Sequence, residues 1–396
     1  MTAHPVKGFK VAGLHCGLKA DAQKDMALIV SEQPCCAAGV FTTNQVKAAP
    51  VIYDQALLAA PGARVRAVVA NTHSANACTG EQGLTNTRLV AAHTAQAVGC
   101  RPDEVLVLST GVIGVQLPMG AIVPGIDRLA EALAPDAWMD AASAIMTTDT
   151  RPKLASLKTE SGYTVTGIAK GAGMISPHMA TMLAVVATDA DVPQQVLDAE
   201  LQYAAGRSFN RIVVDGDMST NDTVLLLANG ASGVAVGEGD GEFREALVEV
   251  CTTLAQAIVR DGEGATKFVT VQVSGAPDEG MARTIARSIA TSPLCKTAFY
   301  GADPNWGRIL SAAGYAGFPL EPDRLALWLL DGAGGPVIQL VERGEPADYD
   351  EPAAMALMGG PEWGLRLDLG LGEVSDWLWT CDLSHDYVTI NGHYRT

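Results

Sequence analysis

The sequence predicts a mixed α/β protein, and three observations predict it. Short apolar runs, several of them rich in β-branched residues, alternate along the chain with stretches whose apolar residues recur at helical spacing. The alternation lacks the regular βαβ rhythm of a dinucleotide-binding fold. Glycine is abundant, at 41 of 396 residues, while aromatics are only 5%. Tight turns and closely packed elements are therefore favoured over bulky all-β cores.

The elements follow in order. Val65–Asn71 (VRAVVAN) reads as a buried strand, Glu81–Gly99 as a helix, and Val105–Leu108 as a short strand ending in Ser109–Gly111. Pro135–Thr147 is expected to be helical, with Asp136 as its cap. Tyr163–Ala169 reads as a strand followed by the glycine-rich Lys170–Gly173, and Met182–Ala187 as another buried strand. Val192–Arg207 is expected to be a helix, Thr223–Ala228 a strand and Gly241–Arg260 a long amphipathic helix. Phe268–Val273 reads as a strand, Gly280–Thr291 as a helix and Asn305–Ala313 as a short helix. Beyond Arg324 the elements shorten and become strand-rich, with Gly/Pro punctuation at Gly332–Pro336 and a strand-like Tyr387–Ile390.

Composition narrows the function. Hydrophobic residues make up 48% and charged residues 18%, which fits a globular chain of two or three domains. The net charge of -17 argues against nucleic acid, which needs a basic surface, and serves solubility. Eight Cys are scattered without a CxxC pair or a Cys/His cluster. They predict no metal site and read as small buried hydrophobes in a reducing cytosol. The first residues carry no apolar signal core, and no run approaches about 18 consecutive apolar residues. A cytoplasmic enzyme, with no membrane or nucleic-acid partner, is the expectation.

Three segments carry chemistry. Lys170–Leu183 (KGAGMISPHMATML) sets a cation beside a flexible backbone, then breaks any helix at Pro177, then leads through Met-Ala-Thr into an apolar run. A Thr there becomes a nucleophile if its peptide bond is cut, because the new α-amine lies beside its own hydroxyl and titrates near ~7.7–8. Viewed alone, Thr181 reads as a strand residue with a satisfied hydroxyl. Ser109–Gly114 (STGVIG) follows a strand, so its turn either aims donors at an oxyanion or is an ordinary β-turn. Asp261–Lys267 (DGEGATK) follows the long helix, and Glu263 between two glycines is either solvated or aimed into a site. Asp215–Asp222 (DGDMSTND) begins like a calcium loop, but its twelfth position is Leu226, which excludes an EF-hand.

These segments occur in one order with Met146–Thr150 (MTTDT), Asp303–Arg308 (DPNWGR) and Asn391–Thr396 (NGHYRT); Asn71–Gly80 and Asn210–Asp222 fit the same set. Over essentially its whole length the chain resembles the ornithine acetyltransferase, or glutamate N-acetyltransferase, family of arginine biosynthesis. The resemblance implies a precursor that cuts itself between Ala180 and Thr181 into an α chain, 1–180, and a β chain, 181–396. These stay associated, typically as α2β2. It implies two packed β-sheets covered by helices, similar to N-terminal-nucleophile hydrolases, with a smaller C-terminal α/β part over roughly 280–396.

The resemblance also implies the chemistry. Thr181 takes acetyl from N2-acetylornithine and passes it to L-glutamate in a ping-pong reaction that needs no cofactor. Members differ in whether acetyl-CoA also serves as donor. Thr110 and Gly111 match the family's oxyanion pair, and Thr147, Lys170, Thr181, Glu263, Asn391 and Thr396 match its substrate-binding positions. A Lys suits a substrate carboxylate and a Glu suits an ammonium. His178 departs from an Asn at that place and is expected to tune the loop. The competing expectations are a self-processing amidase or aminopeptidase that gives the acyl group to water, and an uncut amino-acid-binding protein.

Overall fold

The computed structural model of the chain describes residues 3–176 and 182–393. The calls on Pro177, His178, Ala180, Thr181 and Thr396 lie outside the described residues. The chain divides into two compact units, one comprising the residues up to Asn210 with Asp217–Ile258, the other Arg211–Gly216 with the described residues from Val259 on.

The first unit is built on an eight-stranded mixed sheet. Its strands are β1 (Phe9–Leu14), β2 (Met26–Phe41), β3 (Val65–Asn71), β4 (Val105–Ser109), β5 (Lys153–Lys158), β6 (Thr164–Lys170), β7 (Leu183–Thr188) and a last strand, Thr223–Ala228. The order runs β4, β3, β2, Thr223–Ala228, β7, β6, β5, with β1 alongside β2. All six residues of β7 and all six of Thr223–Ala228 are buried, as strands covered on both faces must be. These two run parallel, with Leu183 opposite Thr223, and β6 runs antiparallel to β7, with Lys170 opposite Leu183. That register sets the Lys170 end of β6 beside the chain that leads into β7.

Helices cover this sheet. They include α1 (Ala49–Leu58), α2 (Gly80–Val98), α3 (Met119–Glu131) and α4 (Trp138–Ala144). Trp138 is fully buried in one core with Phe9, Val11 and Leu106. The approach of α4 to β1 depends on Gly13, where a Cβ would stand 2.0 Å from the Asp140 carbonyl oxygen.

The second unit holds a seven-stranded sheet ordered Glu345–Pro346, Pro336–Glu342, Ala326–Leu330, Glu362–Asp368, Phe268–Ala276, Val374–Cys381, Ile212–Val213. Helices Glu279–Thr291 and Trp306–Gly314 contribute Ile285, Ile289 and Ile309 to its core. The chain is thus α/β with two mixed sheets and helices packed on them, as expected.

Three expectations need correction. The helix expected over Pro135–Thr147 spans only Trp138–Ala144, with Ala137 rather than Asp136 as N-cap. Ala134 exchanges both backbone hydrogen bonds with Val11, at 2.9 and 3.0 Å, so the chain first completes a bridge and then turns. Tyr387–Ile390 lies within a helix, His385–His393. The Ser384 hydroxyl accepts the Asp386 N–H at 3.2 Å and donates to the Gly264 carbonyl at 2.6 Å, so a local cap overrides the β propensity of Tyr-Val-Thr-Ile. The cysteines are not uniformly buried, since Cys78 is exposed and Cys36 and Cys100 are partly exposed. Among the described residues no helix is long and apolar enough to cross a membrane.

Candidate active site

The site in the first unit starts from Lys170. It is the last residue of β6 and is 3% exposed. Its Nζ donates to Thr110 Oγ1 and to Thr147 Oγ1, both at 3.0 Å. The structure therefore brings together three of the residues the sequence singled out, from segments 60 and 23 positions away.

Thr110 belongs to the turn that follows β4. Its own N–H is spent on the Asn71 carbonyl at 3.0 Å, and the Val112 N–H on that of His73 at 3.0 Å. The Gly111 N–H between them has no hydrogen-bond partner among the described residues. Gly111 has φ +129°, and a Cβ there would stand 2.3 Å from the His73 carbonyl carbon. Only glycine fits this turn. The hydroxyl oxygen of Thr110 accepts from an ammonium, which leaves its own proton to donate elsewhere. The turn thus offers two donors, the Thr110 hydroxyl and the Gly111 N–H, while the Thr110 backbone is already engaged.

A buried carboxylate organises the lysine side. Asp149 Oδ1 accepts from Lys153 Nζ and from the Gly171 N–H, each at 2.6 Å, and Oδ2 accepts the Thr147 N–H at 3.0 Å. Both charged side chains are essentially inaccessible, at 1% for Lys153 and 0% for Asp149. Burial alone would raise the Asp149 carboxyl, but the charges of Lys153 and Lys170 and the Gly171 N–H outweigh it and hold it below its ordinary value. Lys19 fixes the preceding residue, donating to the Met146 carbonyl at 2.8 Å. Burial lowers the Lys19 ammonium against the pull of Asp21, Asp25 and Asp149.

Sequence reasoning passed over this framework. Asp149 and Lys153 lie four apart in the polar segment Thr147–Lys153, whose composition reads as a solvated loop and gives no sign that the two charges are buried and paired. Asn71 was quoted only as part of a motif. Its Oδ1 accepts the Ser109 hydroxyl at 2.7 Å and its Nδ2 donates to the Ser74 carbonyl at 3.1 Å, bracing the base of the Ser109–Gly111 turn.

The second unit carries the other pair. Glu263 is 8% exposed, so the solvated alternative for it is wrong. Its Oε2 accepts from Asn391 Nδ2 at 2.7 Å, and Asn391 Nδ2 also donates to the Tyr387 carbonyl at 3.1 Å. The helix at His385–His393 is what turns Asn391 toward Glu263. Beside them Asp382 accepts the Thr266 and Lys267 N–H groups at 2.8 and 3.0 Å, which fixes the glycine-rich segment against the sheet.

Fold and site together define an α/β protein in which a buried Lys bridges two Thr hydroxyls at a glycine-dictated donor turn. A model of the ArgJ family matches residues 10–396, and the chain belongs to that family. It is 49% identical to the arginine biosynthesis bifunctional protein ArgJ of Thermotoga neapolitana, over 98% of this chain and 99% of that protein. It is 47% identical to the protein of the same name from Geobacter sulfurreducens, over 99% and 100%. Among solved structures, ornithine acetyltransferase of Mycobacterium tuberculosis complexed with ornithine aligns at 43% identity over 43% of this chain and 92% of that chain, with TM-score 0.42.

Proposed function

We propose that the chain is a self-processing acyltransferase of arginine biosynthesis, which transfers acetyl from N2-acetylornithine to L-glutamate through Thr181. Family membership supports the pathway. The observation that carries the chemistry is the Lys170 ammonium seated 3.0 Å from the Thr110 hydroxyl, next to the Gly111 N–H, which has no partner among the described residues.

In this reading the chain first cuts itself between Ala180 and Thr181. The Thr181 hydroxyl attacks the Ala180 carbonyl, the acyl group passes to oxygen, and water releases it. The freed α-amine then serves as the local base. Attack of Thr181 on acetylornithine forms a tetrahedral oxyanion, and the Thr110 hydroxyl and Gly111 N–H donate to it. Polarisation by Lys170 makes Thr110 a stronger donor. Collapse expels ornithine and leaves acetyl on the Thr181 oxygen; the glutamate amine then takes the acetyl and frees the hydroxyl. Thr147, Lys170, Glu263, Asn391 and Thr396 are the candidates for substrate binding that the resemblance supplies. Acetyl-CoA is a second donor to be tested, since the curated relatives are called bifunctional.

A donor and acceptor panel tests the proposal. Acetylornithine, acetyl-CoA and acetylglutamate are each combined with ornithine, glutamate or water. Acetylornithine with glutamate should turn over and give parallel double-reciprocal lines. Release of acetate without an amine acceptor as the main reaction would make the chain a hydrolase instead.

A further inference from the structure

Two adjacent buried residues in the first unit reach in opposite directions. Asn221 Nδ2 donates to the Ser109 carbonyl at 2.8 Å and to the Ala75 carbonyl at 2.7 Å, while its Oδ1 accepts the Thr220 hydroxyl at 2.6 Å. Ser109 immediately precedes the Thr110–Gly111 turn. Asp222 Oδ1 accepts the N–H of Met182 at 3.0 Å, and Met182 immediately follows Thr181. The Met182 carbonyl in turn accepts the Thr223 N–H at 3.1 Å. The peptide leading into β7 is therefore held on both sides by the same short segment.

That segment is itself fixed. The Thr42 N–H donates to the Asp222 carbonyl at 2.9 Å, the Thr42 hydroxyl to the Ser219 carbonyl at 2.8 Å, and the Ala48 N–H to the Thr220 carbonyl at 2.9 Å. Asn221 and Asp222 are 5% and 0% exposed. Neither serves to bury apolar surface, and each spends its side chain on a main-chain group next to the proposed chemistry.

We propose that Asn221 and Asp222 form a positioning clamp that sets the spacing between the nucleophile and its oxyanion donors, one residue holding each side. The proposal rests on the reading of Thr181 as nucleophile and of Thr110 and Gly111 as donors. Asp222 acts through Oδ1, the acceptor of the Met182 N–H. Burial pushes its carboxyl well above the ordinary range, outweighing the Met182 N–H, the Lys170 charge and the Thr42 hydroxyl. An amide oxygen is accordingly a fair replacement, whereas a methyl group is not. A misplacement of about 1 Å at a reacting group costs roughly 10²-fold in rate, so the effect should fall on rate constants and spare KM.

The test follows self-cleavage on gels and steady-state transfer for the parent, Asp222→Asn, Asp222→Ala and Asn221→Ala. Asp222→Asn should cut and transfer within a few-fold of the parent. Asp222→Ala, with unchanged circular dichroism, should cut and turn over on the order of 10²-fold more slowly, with KM within about three-fold. Asn221→Ala should behave similarly by freeing the turn, and it carries the test if Asp222→Ala proves insoluble. A folded Asp222→Ala or Asn221→Ala that matches the parent would overturn the clamp, as would an Asp222→Asn as slow as the alanine variant. A parent that never cuts would instead sink the reading of Thr181 beneath it.

Discussion

The Lys170 ammonium lies 3.0 Å from the Thr110 hydroxyl oxygen and 3.0 Å from that of Thr147. A buried cation thus occupies the acceptor lone pairs of two hydroxyls and leaves their protons to donate. Thr110→Ala should lower kcat on the order of 10²-fold, the loss of one oxyanion donor. Thr110→Ser should stay within several-fold of the parent. Steady-state kinetics with acetylornithine and glutamate decide; equal rates for Thr110→Ala and the parent would assign the donation to backbone groups alone.

Asp149 gives a stability prediction. Its carboxyl pairs with Lys153 in a fully buried environment and is held below its ordinary value. A depressed carboxylate contributes stability that is present above the unfolded value near ~3.9 and lost as pH falls through the folded value. Asp149→Asn leaves Lys153 without its counter-charge, so urea unfolding at pH 7 should show a loss of about 3–5 kcal/mol. The difference from the parent should shrink below about pH 4. Transfer should fall as well, because the Thr147 and Gly171 N–H groups lose a charged acceptor.

Asp54 predicts the opposite sign. It is fully buried, with Oδ1 on the Val107 N–H at 2.9 Å and Oδ2 without a partner among the described residues. Burial raises its carboxyl well above the ordinary value, the Val107 N–H opposing. The unfolded chain ionises near ~3.9 while the folded chain keeps the proton, so this group lowers stability by about 1.4 kcal/mol per pH unit above that point, up to its folded value. Stability of Asp54→Asn relative to the parent should therefore rise between pH 4 and pH 7. A pH-independent difference in urea midpoints would show that Asp54 ionises normally.

The Glu263–Asn391 pair predicts a binding phenotype. Glu263→Gln removes the charge, and Asn391→Ala removes the 2.7 Å bond. A hydrogen bond to a charged group contributes about 1.5–3 kcal/mol, so either change should raise KM on the order of 10-fold or more. Self-cleavage should continue in both. Deleting Tyr394–Thr396 should do the same. Unchanged KM values for acetylornithine and glutamate would place these residues outside the binding site.

Strands such as Val65–Asn71 and Thr223–Ala228 and the helix Gly241–Arg260 were legible to the residue, because each combines an unbroken period with Gly, Asn or Asp at its boundary. Long β2 escaped notice because Gln33 and Pro34 interrupt its apolar run, and its register shifts there. The Tyr387–Ile390 helix was misread because four β-favouring residues conceal a Ser384 cap, whose hydroxyl is oriented by the Gly264 carbonyl more than a hundred residues away. At the site, Lys170, Thr110 and Thr147 were found through motif order, whereas Asp149, Asn221 and Asp222 were not. Asp149 holds the Gly171 N–H 22 residues away, Asp222 the Met182 N–H 40 away and Asn221 the Ala75 carbonyl 146 away, and no local pattern encodes such pairings.

The most direct test is mass spectrometry of the purified protein before and after acetylornithine. Two chains should be found, Met1–Ala180 and Thr181–Thr396, the second beginning Thr-Met-Leu-Ala. Acetylornithine alone should place one acetyl group on the peptide that begins with Thr181, and glutamate should remove it. Thr181→Ala should remain uncut and unacetylated. An intact chain with full transfer activity, or acetyl on another residue that turns over at the catalytic rate, would contradict the account.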